Sequence, residues 1–221
     1  MKKLILVCNA HIDPVWQWDW QEGVGVALST FASAVKLSKE YDALIFNHNE
    51  SLIYEWVEKY DNKLFQEIVA LVKKKKWFIM GGWYIQPDCN IPCGESIIRH
   101  ILRGREYFRE KFNADSDVAV SFDAFGSSRG LVQILKRNAY RGYVACRRII
   151  LKTKRRIIYG RVSITAKYYC IMRQTAIVRR WGPSAIKSTT ICRICRKANA
   201  RYCSGAWEIT AADLRGQILT I

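Results

Sequence analysis

The stretch Lys3–Trp16, KLILVCNAHIDPVW, joins an apolar run to a polar turn and governs the interpretation of the whole chain. The apolar part predicts a strand, and the polar part predicts the loop after its carboxyl end. Residues two apart on an extended backbone point to the same side, so His11 and Asp13 can reach one cation together. An imidazole nitrogen and a carboxylate oxygen form half of a normal zinc site. The alternative is a buried histidine followed by a turn-forming aspartate before Pro14.

Strand and helix patterns alternate along the first 147 residues. Strands are predicted at residues 3–8, 43–47, 77–84, 118–122 and 142–145. Helices are predicted at residues 22–39, 51–60, 64–76, 96–112 and 130–138. Strands that alternate with helices favour an α/β fold in which crossover helices connect parallel strands.

Polar side chains gather where the predicted strands end. The residues concerned are His11, Asp13, Asn47, His48, Glu50, Gln86, Asp88, Asn90 and Asp123. Parallel α/β sheets place their sites beyond the carboxyl ends of strands, so we expect these groups to form one rim. Local alternatives stay open. His48 and Glu50 can be neighbours of helix-capping residues, and residues 88–90 can simply build a turn before Pro92.

Asp123 is the most specific of these polar residues. It lies between Phe122 and Phe125, in apolar surroundings that penalise an unpaired charge. A cation shared with His11 and Asp13 would remove that penalty. We therefore regard Asp123 as a candidate third ligand of the same ion.

A group of tryptophans accompanies the polar residues. Its members are Trp16, Trp18, Trp20 and Trp83. Apolar ring faces can stack on a pyranose ring, but large aromatic side chains also fill protein cores. The sequence leaves both interpretations open.

The charge of the chain is unevenly distributed. Residues 1–147 contain 20 of the 36 Lys and Arg and 17 of the 19 Asp and Glu, a net charge of +3. Residues 148–221 therefore carry +14 of the total of +17. We predict two regions: an α/β domain at 1–147 and a basic tail at 148–221 without a native fold.

Two explanations compete for the basic tail. Clustered Lys and Arg give salt-dependent phosphate binding, which favours a nucleic-acid-binding arm. Alternatively, the tail is an out-of-frame translation. In one shifted frame, Ser204–Gly216 can encode Trp-Gly-Leu-Gly-Asn/Asp-His-Gly-Gly-Gly-Pro, and Tyr159–Tyr169 can encode a string that begins Trp-Glu-Gly. We favour the shifted frame, which argues against nucleic acid as a partner, and nucleotide sequence around Arg147 decides between the two.

No targeting or membrane segment is expected. The apolar run Leu4–Val7 is shorter than a signal-peptide core, and no run approaches the length of a membrane span. The cysteines of the first region show no disulfide spacing, which favours a reducing cytoplasm.

Six motifs in order give the first region a resemblance to a known family. They are HIDPVW at His11–Trp16, YEWV at Tyr54–Val57, GGW at Gly81–Trp83, DCNIP at Asp88–Pro92, GES at Gly94–Ser96 and SFDAFG at Ser121–Gly126. Together they resemble the N-terminal part of a family 38 glycoside hydrolase, a zinc-dependent α-mannosidase. The resemblance implies that the α/β fold is an incomplete β/α barrel-like part of that catalytic domain.

The resemblance also implies a chemistry. The family hydrolyses α-mannosidic bonds with retention of configuration, in mannose and oligosaccharide metabolism, and holds one Zn²⁺ per catalytic domain. By this resemblance His11, Asp13 and Asp123 are zinc ligands, and Asp123 is also the nucleophile that forms a glycosyl-enzyme intermediate. An α-mannoside or oligosaccharide is then the substrate, and the candidate substrate contacts are Trp16, His48, Trp83, Asp88 and Asn90.

The chain also departs from the family pattern. Ser127 stands where the family usually has a histidine after Phe-Gly. The general acid and a fourth zinc ligand, a histidine, lie further along the family's chain, and the histidines here are His11, His48 and His100. The β-rich C-terminal region of the family has no counterpart either. We therefore expect this chain to be inactive as a truncated or frameshifted product.

Two other functions remain as alternatives. A zinc-dependent deacetylase-like enzyme also uses His and Asp at strand ends, but it leaves the Asp123 and Gly-Glu-Ser motifs unexplained. A nucleic-acid-binding protein would show steep salt dependence that disappears when the residues after Arg147 are removed. Cobalt or manganese could replace zinc at a nitrogen and oxygen site.

Overall fold

The computed structural model describes residues 8–145, 157–162 and 166–172 of the 221-residue chain. Strands in this part are β1 (Cys8–Asn9), β2 (Phe46–Glu50), β3 (Trp77–Trp83), β4 (Val118–Ser121), β5 (Gly142–Ala145), β6 (Ile157–Val162) and β7 (Ala166–Met172). Helices are α1 (Trp20–Glu40), α2 (Ser51–Tyr60), α3 (Asn62–Lys73), α4 (Gly94–Phe112) and α5 (Leu131–Arg137). None of these helices combines the length and hydrophobicity that a membrane span requires.

The strands form two sheets with mostly parallel pairing. One sheet has the order β1-β2-β3, and the other has the order β4-β5-β7-β6. β1 runs parallel to β2, β4 parallel to β5, and β5 parallel to β7, whereas β6 runs antiparallel to β7. α1 connects the first parallel pair and α5 the pair β4–β5, so the prediction of parallel strands with crossover helices is confirmed.

The described residues divide into two compact units. The first unit contains the described residues up to His48 together with Ile53–Phe78. The second unit contains Asn49–Leu52 together with the described residues from Ile79 onward. β2 and β3 each run from one unit into the other.

Aromatic rings form the centre of the first unit. The Phe31 ring of α1 lies edge-on to the rings of Tyr54 and Trp77, with both centroid distances at 5.1 Å. The Trp77 indole Nε1–H donates to the Tyr54 hydroxyl over 2.8 Å, which satisfies two buried polar groups at once. These contacts hold α1 and α2 on the strands that position His11 and His48.

The second unit packs α4 and α5 around Trp83. Its core contains Trp83, Cys89, Ile97, Ile101, Ala119, Leu131, Leu135, Tyr140 and Tyr143. Gly104 in α4 permits an unusually close approach, because a Cβ at this position would lie 2.3 Å from the Trp83 carbonyl carbon. The Tyr140 hydroxyl donates to the Gly81 carbonyl over 2.7 Å. The end of β3 is therefore fixed from two sides.

Helix ends follow local chemistry. Asp19 is the N-cap of α1, and its carboxylate accepts from the backbone N–H groups of Gln21 and Glu22. Asp61 caps α3 in the same way through Leu64. Asn113 ends α4 in the left-handed conformation, with φ of 47°, which Asn tolerates better than most residues.

Several boundaries differ from the predicted ones. β2 lies at residues 46–50 instead of 43–47, and all five of its residues, FNHNE, are buried. α1 begins at Trp20 because Asp19 caps it, and α3 ends at Lys73. Residues 3–7 of the first predicted strand lie outside the described residues.

The strands β6 and β7 were not among the predicted elements. Their sequences, IIYGRV and AKYYCIM, are rich in β-branched and aromatic residues, which favour strands. The prediction that residues 148–221 lack a native fold falls largely outside the described residues and stays a prediction.

Candidate active site

His11 and Asp13 lie together in the loop after β1. The His11 Nε2 atom is 3.1 Å from the Asp13 Oδ1 atom, while Ile12 between them is buried in the core of the first unit. The two polar side chains thus share one side of the loop, as the period of an extended backbone predicts. Their side chains are 17% and 41% exposed, so the pair is open to an ion or a ligand from solvent.

Neighbouring contacts fix this loop. The Trp18 indole Nε1–H donates to the Asp13 carbonyl over 3.1 Å. A Cβ at Gly23 in the first turn of α1 would lie 2.1 Å from the Pro14 carbonyl oxygen, so the helix approaches the loop backbone directly. Trp16 is 46% exposed, and its ring meets Trp18 edge-on at 5.3 Å. Its exposure is compatible with a sugar platform.

His48 lies in the middle of β2 and is fully buried. The pKa of its imidazole is lowered to about 3, mainly by burial and to a lesser degree by the positive charge that nearby His11 can carry. A hydrogen bond to the backbone of Ala10 acts in the opposite direction. His48 is therefore neutral and packs edge-on against Phe31 at 5.1 Å. His48 contacts the backbone of Ala10, next to His11, and does not face solvent.

Asp123 lies in the second unit, just beyond the end of β4. Its φ of 54° is in the left-handed region, which is sparsely populated by residues other than glycine. The preceding residue is held on both sides by Gln86: the Phe122 N–H donates to the Gln86 Oε1 atom over 2.7 Å, and the Gln86 Nε2–H donates to the Phe122 carbonyl. The sequence placed Gln86 on the rim but gave no sign of this double contact.

The loop after Asp123 is held by a second amide side chain. The Asn90 Nδ2–H donates to the Phe125 carbonyl over 3.3 Å. Gly126 has φ of +120°, and a Cβ there would lie 2.5 Å from the Asn90 Nδ2 atom. Asn90 thus borders the Asp123 loop, as a substrate contact would require, while its present contact is to the backbone of that loop.

The contacts of Trp83 and Asp88 indicate structural roles. Trp83 is completely buried, and its Nε1–H donates to the Val120 carbonyl over 2.5 Å. Its burial favours core packing over a sugar platform. The Asp88 carbonyl accepts from the Ile91 N–H over 3.0 Å, which is the turn that the local alternative predicted. The Asp88 Oδ1 atom is buried without a hydrogen-bond partner.

The residues of the predicted rim divide between the two units. His11, Asp13, Asn47 and His48 belong to the first unit, and Glu50, Gln86, Asp88, Asn90 and Asp123 belong to the second. Within the described residues, no group of three or more His, Cys, Asp and Glu side chains is already gathered around one point. The assignment of His11, Asp13 and Asp123 to one ion stays a prediction.

The donor pair His11–Asp13 itself fits zinc. Two ligands of a tetrahedral zinc ion, with bonds of about 2.0 to 2.2 Å, lie about 3.3 to 3.6 Å apart. The observed 3.1 Å between Nε2 and Oδ1 is close to that separation. An imidazole nitrogen and a carboxylate oxygen are also donor types that zinc accepts. The residues present can therefore hold two of the four positions around such an ion.

A family model identifies the class of protein to which this chain belongs. Residues 1–160 match the family model described as the glycosyl hydrolases family 38 N-terminal domain. The match covers well over half of the chain, and the chain belongs to this family. The match runs past residue 147, where the sequence placed a region boundary.

Curated relatives are α-mannosidases. The chain is 25% identical over 138 residues to alpha-mannosidase G of Dictyostelium discoideum, covering 62% of this chain and 13% of that protein. It is 28% identical over 127 residues to human alpha-mannosidase 2C1, covering 58% of this chain and 12% of that protein. The chain therefore spans about an eighth of the length of these relatives.

Solved structures show the same fold at low identity. An alpha-mannosidase from Enterococcus faecalis V583 aligns with a TM-score of 0.66 at 16% identity, covering 75% of this chain and 19% of that chain. A 4-alpha-glucanotransferase from Thermococcus litoralis aligns with a TM-score of 0.63 at 13% identity, covering 78% of this chain and 28% of that chain. These likenesses confirm the α/β fold class.

Proposed function

We propose that this chain carries the N-terminal part of the catalytic domain of a retaining α-mannosidase, which hydrolyses α-mannosides or oligosaccharides. The observation that carries the proposal is the His11–Asp13 donor pair, 3.1 Å apart at the carboxyl end of β1 in a family 38 domain. The names of its relatives support α-mannosides as the substrate class.

In the proposed mechanism Asp123 is the nucleophile. Its carboxylate attacks the anomeric carbon and forms a covalent glycosyl-enzyme, which water then hydrolyses with retention. A second carboxyl group must protonate the leaving oxygen, and in this family that acid lies further along the chain. His11, Asp13 and Asp123 would hold a zinc ion, which would bind sugar hydroxyls and so help to orient the ring.

Two residues are proposed to meet the sugar directly. Trp16 offers an exposed ring next to the His11–Asp13 loop, and ring faces of this kind stack on the apolar face of a pyranose. Asn90 borders the loop of Asp123 and has an amide that can exchange its backbone contact for a sugar hydroxyl. His48 is instead proposed to support the loop of His11 from below.

Zinc titration of the full chain by calorimetry tests this proposal. We expect one zinc ion per chain, and a loss of at least tenfold in affinity in each of His11→Ala, Asp13→Asn and Asp123→Asn, since each removes one of few ligands. Glu40→Gln, which alters an exposed carboxylate at the end of α1, serves as the control and should leave the affinity unchanged. Unchanged affinity in Asp123→Asn would remove Asp123 from the metal site.

We also propose that the 221-residue chain does not turn over substrate. The family resemblance places the general acid and the fourth zinc ligand beyond the matched residues, so a polypeptide of these 221 residues alone would leave the departing oxygen unprotonated. Incubation of the purified chain with an aryl α-mannoside should therefore release no mannose above a blank. Release of mannose that Asp123→Asn abolishes would show that the chain is an active enzyme.

The cytoplasm is the proposed compartment. Cys8, Cys89 and Cys93 are free thiols among the described residues, which accords with a reducing environment. Burial raises the pKa of Cys89 to about 11, so this thiol is unreactive at neutral pH.

A further inference from the structure

The side chain of Gln86 contacts the backbone next to Asp123 in a way that the proposed mechanism does not use. Its amide accepts from the Phe122 N–H over 2.7 Å and donates to the Phe122 carbonyl. The register of β4 with β5 ends one residue earlier, where Ser121 pairs with Ala145. The Gln86 amide therefore continues the hydrogen bonding of β4 by one residue, up to the position before Asp123.

Asp123 needs such a constraint because of its backbone. A φ of 54° is disfavoured for a residue with a Cβ, and it persists only where the surroundings hold it. Phe122 is half-buried and directly precedes this position. Because both backbone polar groups of Phe122 are hydrogen-bonded, the Asp123 side chain can point in fewer directions from the end of β4.

The two residues before Gln86 are themselves held by hydrogen bonds within the same unit. The Tyr84 N–H donates to the His100 carbonyl of α4 over 2.9 Å, and the Ile85 N–H donates to the His100 Nδ1 atom over 3.3 Å. The Tyr84 carbonyl accepts from the Leu52 N–H over 3.0 Å. The two residues before Gln86 are thus bound to α4 and to the start of α2.

We propose that Gln86 is a positioning residue that holds the Asp123 carboxylate in its productive orientation by gripping both backbone polar groups of Phe122. The proposal rests on the proposed role of Asp123. It requires an amide at position 86 among side chains of this length, because a carboxylate offers acceptors alone and a thioether or aliphatic chain offers no N–H donor.

The chemistry of the amide suggests three matched variants. Gln86→Met keeps the length of the side chain and removes both hydrogen bonds. Gln86→Glu keeps an acceptor for the Phe122 N–H and loses the donor to the Phe122 carbonyl. Gln133→Met makes the same replacement at an exposed position of α5 and serves as the control.

Amide hydrogen exchange of the full chain gives the first readout. In Gln86→Met we expect the Phe122 amide to exchange at least tenfold faster, because it loses its acceptor, while amides of β4 and α4 keep their protection. Gln86→Glu should restore slow exchange at Phe122, and Gln133→Met should leave it unchanged. Faster exchange throughout the second unit in Gln86→Met would show a merely structural role and overturn the proposal, as would unchanged exchange at Phe122.

Zinc affinity gives the second readout, since loss of a group that orients a ligand weakens metal binding by roughly 10 to 100-fold. We expect Gln86→Met to weaken zinc binding in the same direction as Asp123→Asn. If Asp123→Asn weakens it and Gln86→Met does not, positioning by Gln86 is wrong. If Asp123→Asn has no effect, the proposed metal role of Asp123 fails, and locally faster exchange at Phe122 and Asp123 in Gln86→Met still supports positioning by Gln86.

Discussion

At the scale of single residues, the loop after β1 depends on glycine as much as on its polar groups. Gly23 lies in the first turn of α1, where its missing side chain lets the helix touch the Pro14 carbonyl oxygen. Gly25, two residues further on, has no atom within 4 Å of an added Cβ. The helix thus contains one glycine that a close contact requires, Gly23, and one that no contact requires, Gly25.

Replacing these glycines with alanine should shift stability in opposite directions. Gly25→Ala should stabilise the chain by about 0.5–1 kcal/mol, because alanine loses less conformational freedom in a helix. Gly23→Ala should destabilise it by about 1–3 kcal/mol, because its Cβ overlaps the loop backbone and forces a shift. Urea unfolding of both variants measures the difference, and equal stabilities would contradict the close contact at Pro14.

The residue scale also separates exposed candidate residues from buried ones. His11 and Asp13 are partly exposed and lie 3.1 Å apart, whereas Trp83 is buried and donates to a backbone carbonyl. The sequence could place all three near strand ends, but it could not give their exposure. Exposure depends on which helices cover each strand.

At the scale of elements, β2 is the part of the fold that the sequence misplaced. Every residue of its sequence FNHNE is buried, although all of them except Phe46 have polar side chains. An apolar pattern placed the strand at 43–47, because polar residues rarely occupy a buried strand without specific hydrogen bonds. Asn47 has such bonds: its Nδ2–H donates to the Cys8 carbonyl over 2.7 Å, and its carbonyl accepts from the Asn9 amide.

The burial of His48 in β2 makes stability depend on pH. The pKa is lowered to about 3 in the folded chain, against about 6.5 when the imidazole is solvated. A lowered histidine pKa contributes stability that is complete above pH 6.5 and is lost as the pH falls toward 3. Between pH 7.5 and pH 4.5 the free energy of unfolding should therefore drop by roughly 2–3 kcal/mol on account of this residue.

A variant isolates this contribution from that of other titrating groups. Urea unfolding at the two pH values, for the original chain and for His48→Gln, gives the difference directly. The variant is less stable at both pH values because a packed ring is lost, but its drop with pH should be smaller by that amount. Identical drops in the two proteins would mean that His48 titrates normally.

At the scale of the whole molecule, the predicted boundary at residue 147 and the observed strand pairing lead to different expectations for the tail. The sequence places a boundary at residue 147, but β7 at Ala166–Met172 pairs in parallel with β5. Removal of the residues after 147 would therefore leave β5 at the edge of its sheet.

A chain ended at residue 147 should consequently be less stable and more prone to aggregate than the full chain. The loss follows from unpaired backbone groups along Gly142–Ala145, which β7 satisfies in the full chain. The midpoint of urea unfolding and light scattering at equal concentration are the measurements. An unchanged midpoint would instead support the boundary at residue 147 and a tail without a native fold.

The sequence by itself determined the fold class and the local pairs. Alternating strand and helix patterns led to parallel strands with crossover helices, and the spacing of His11 and Asp13 placed both on one side of a loop, because backbone geometry repeats over a few residues. Tertiary structure alone decided that Trp83 and His48 are buried and that Gln86 grips Phe122. That last contact joins residues 36 positions apart, and no local pattern records which distant backbone groups will need a partner.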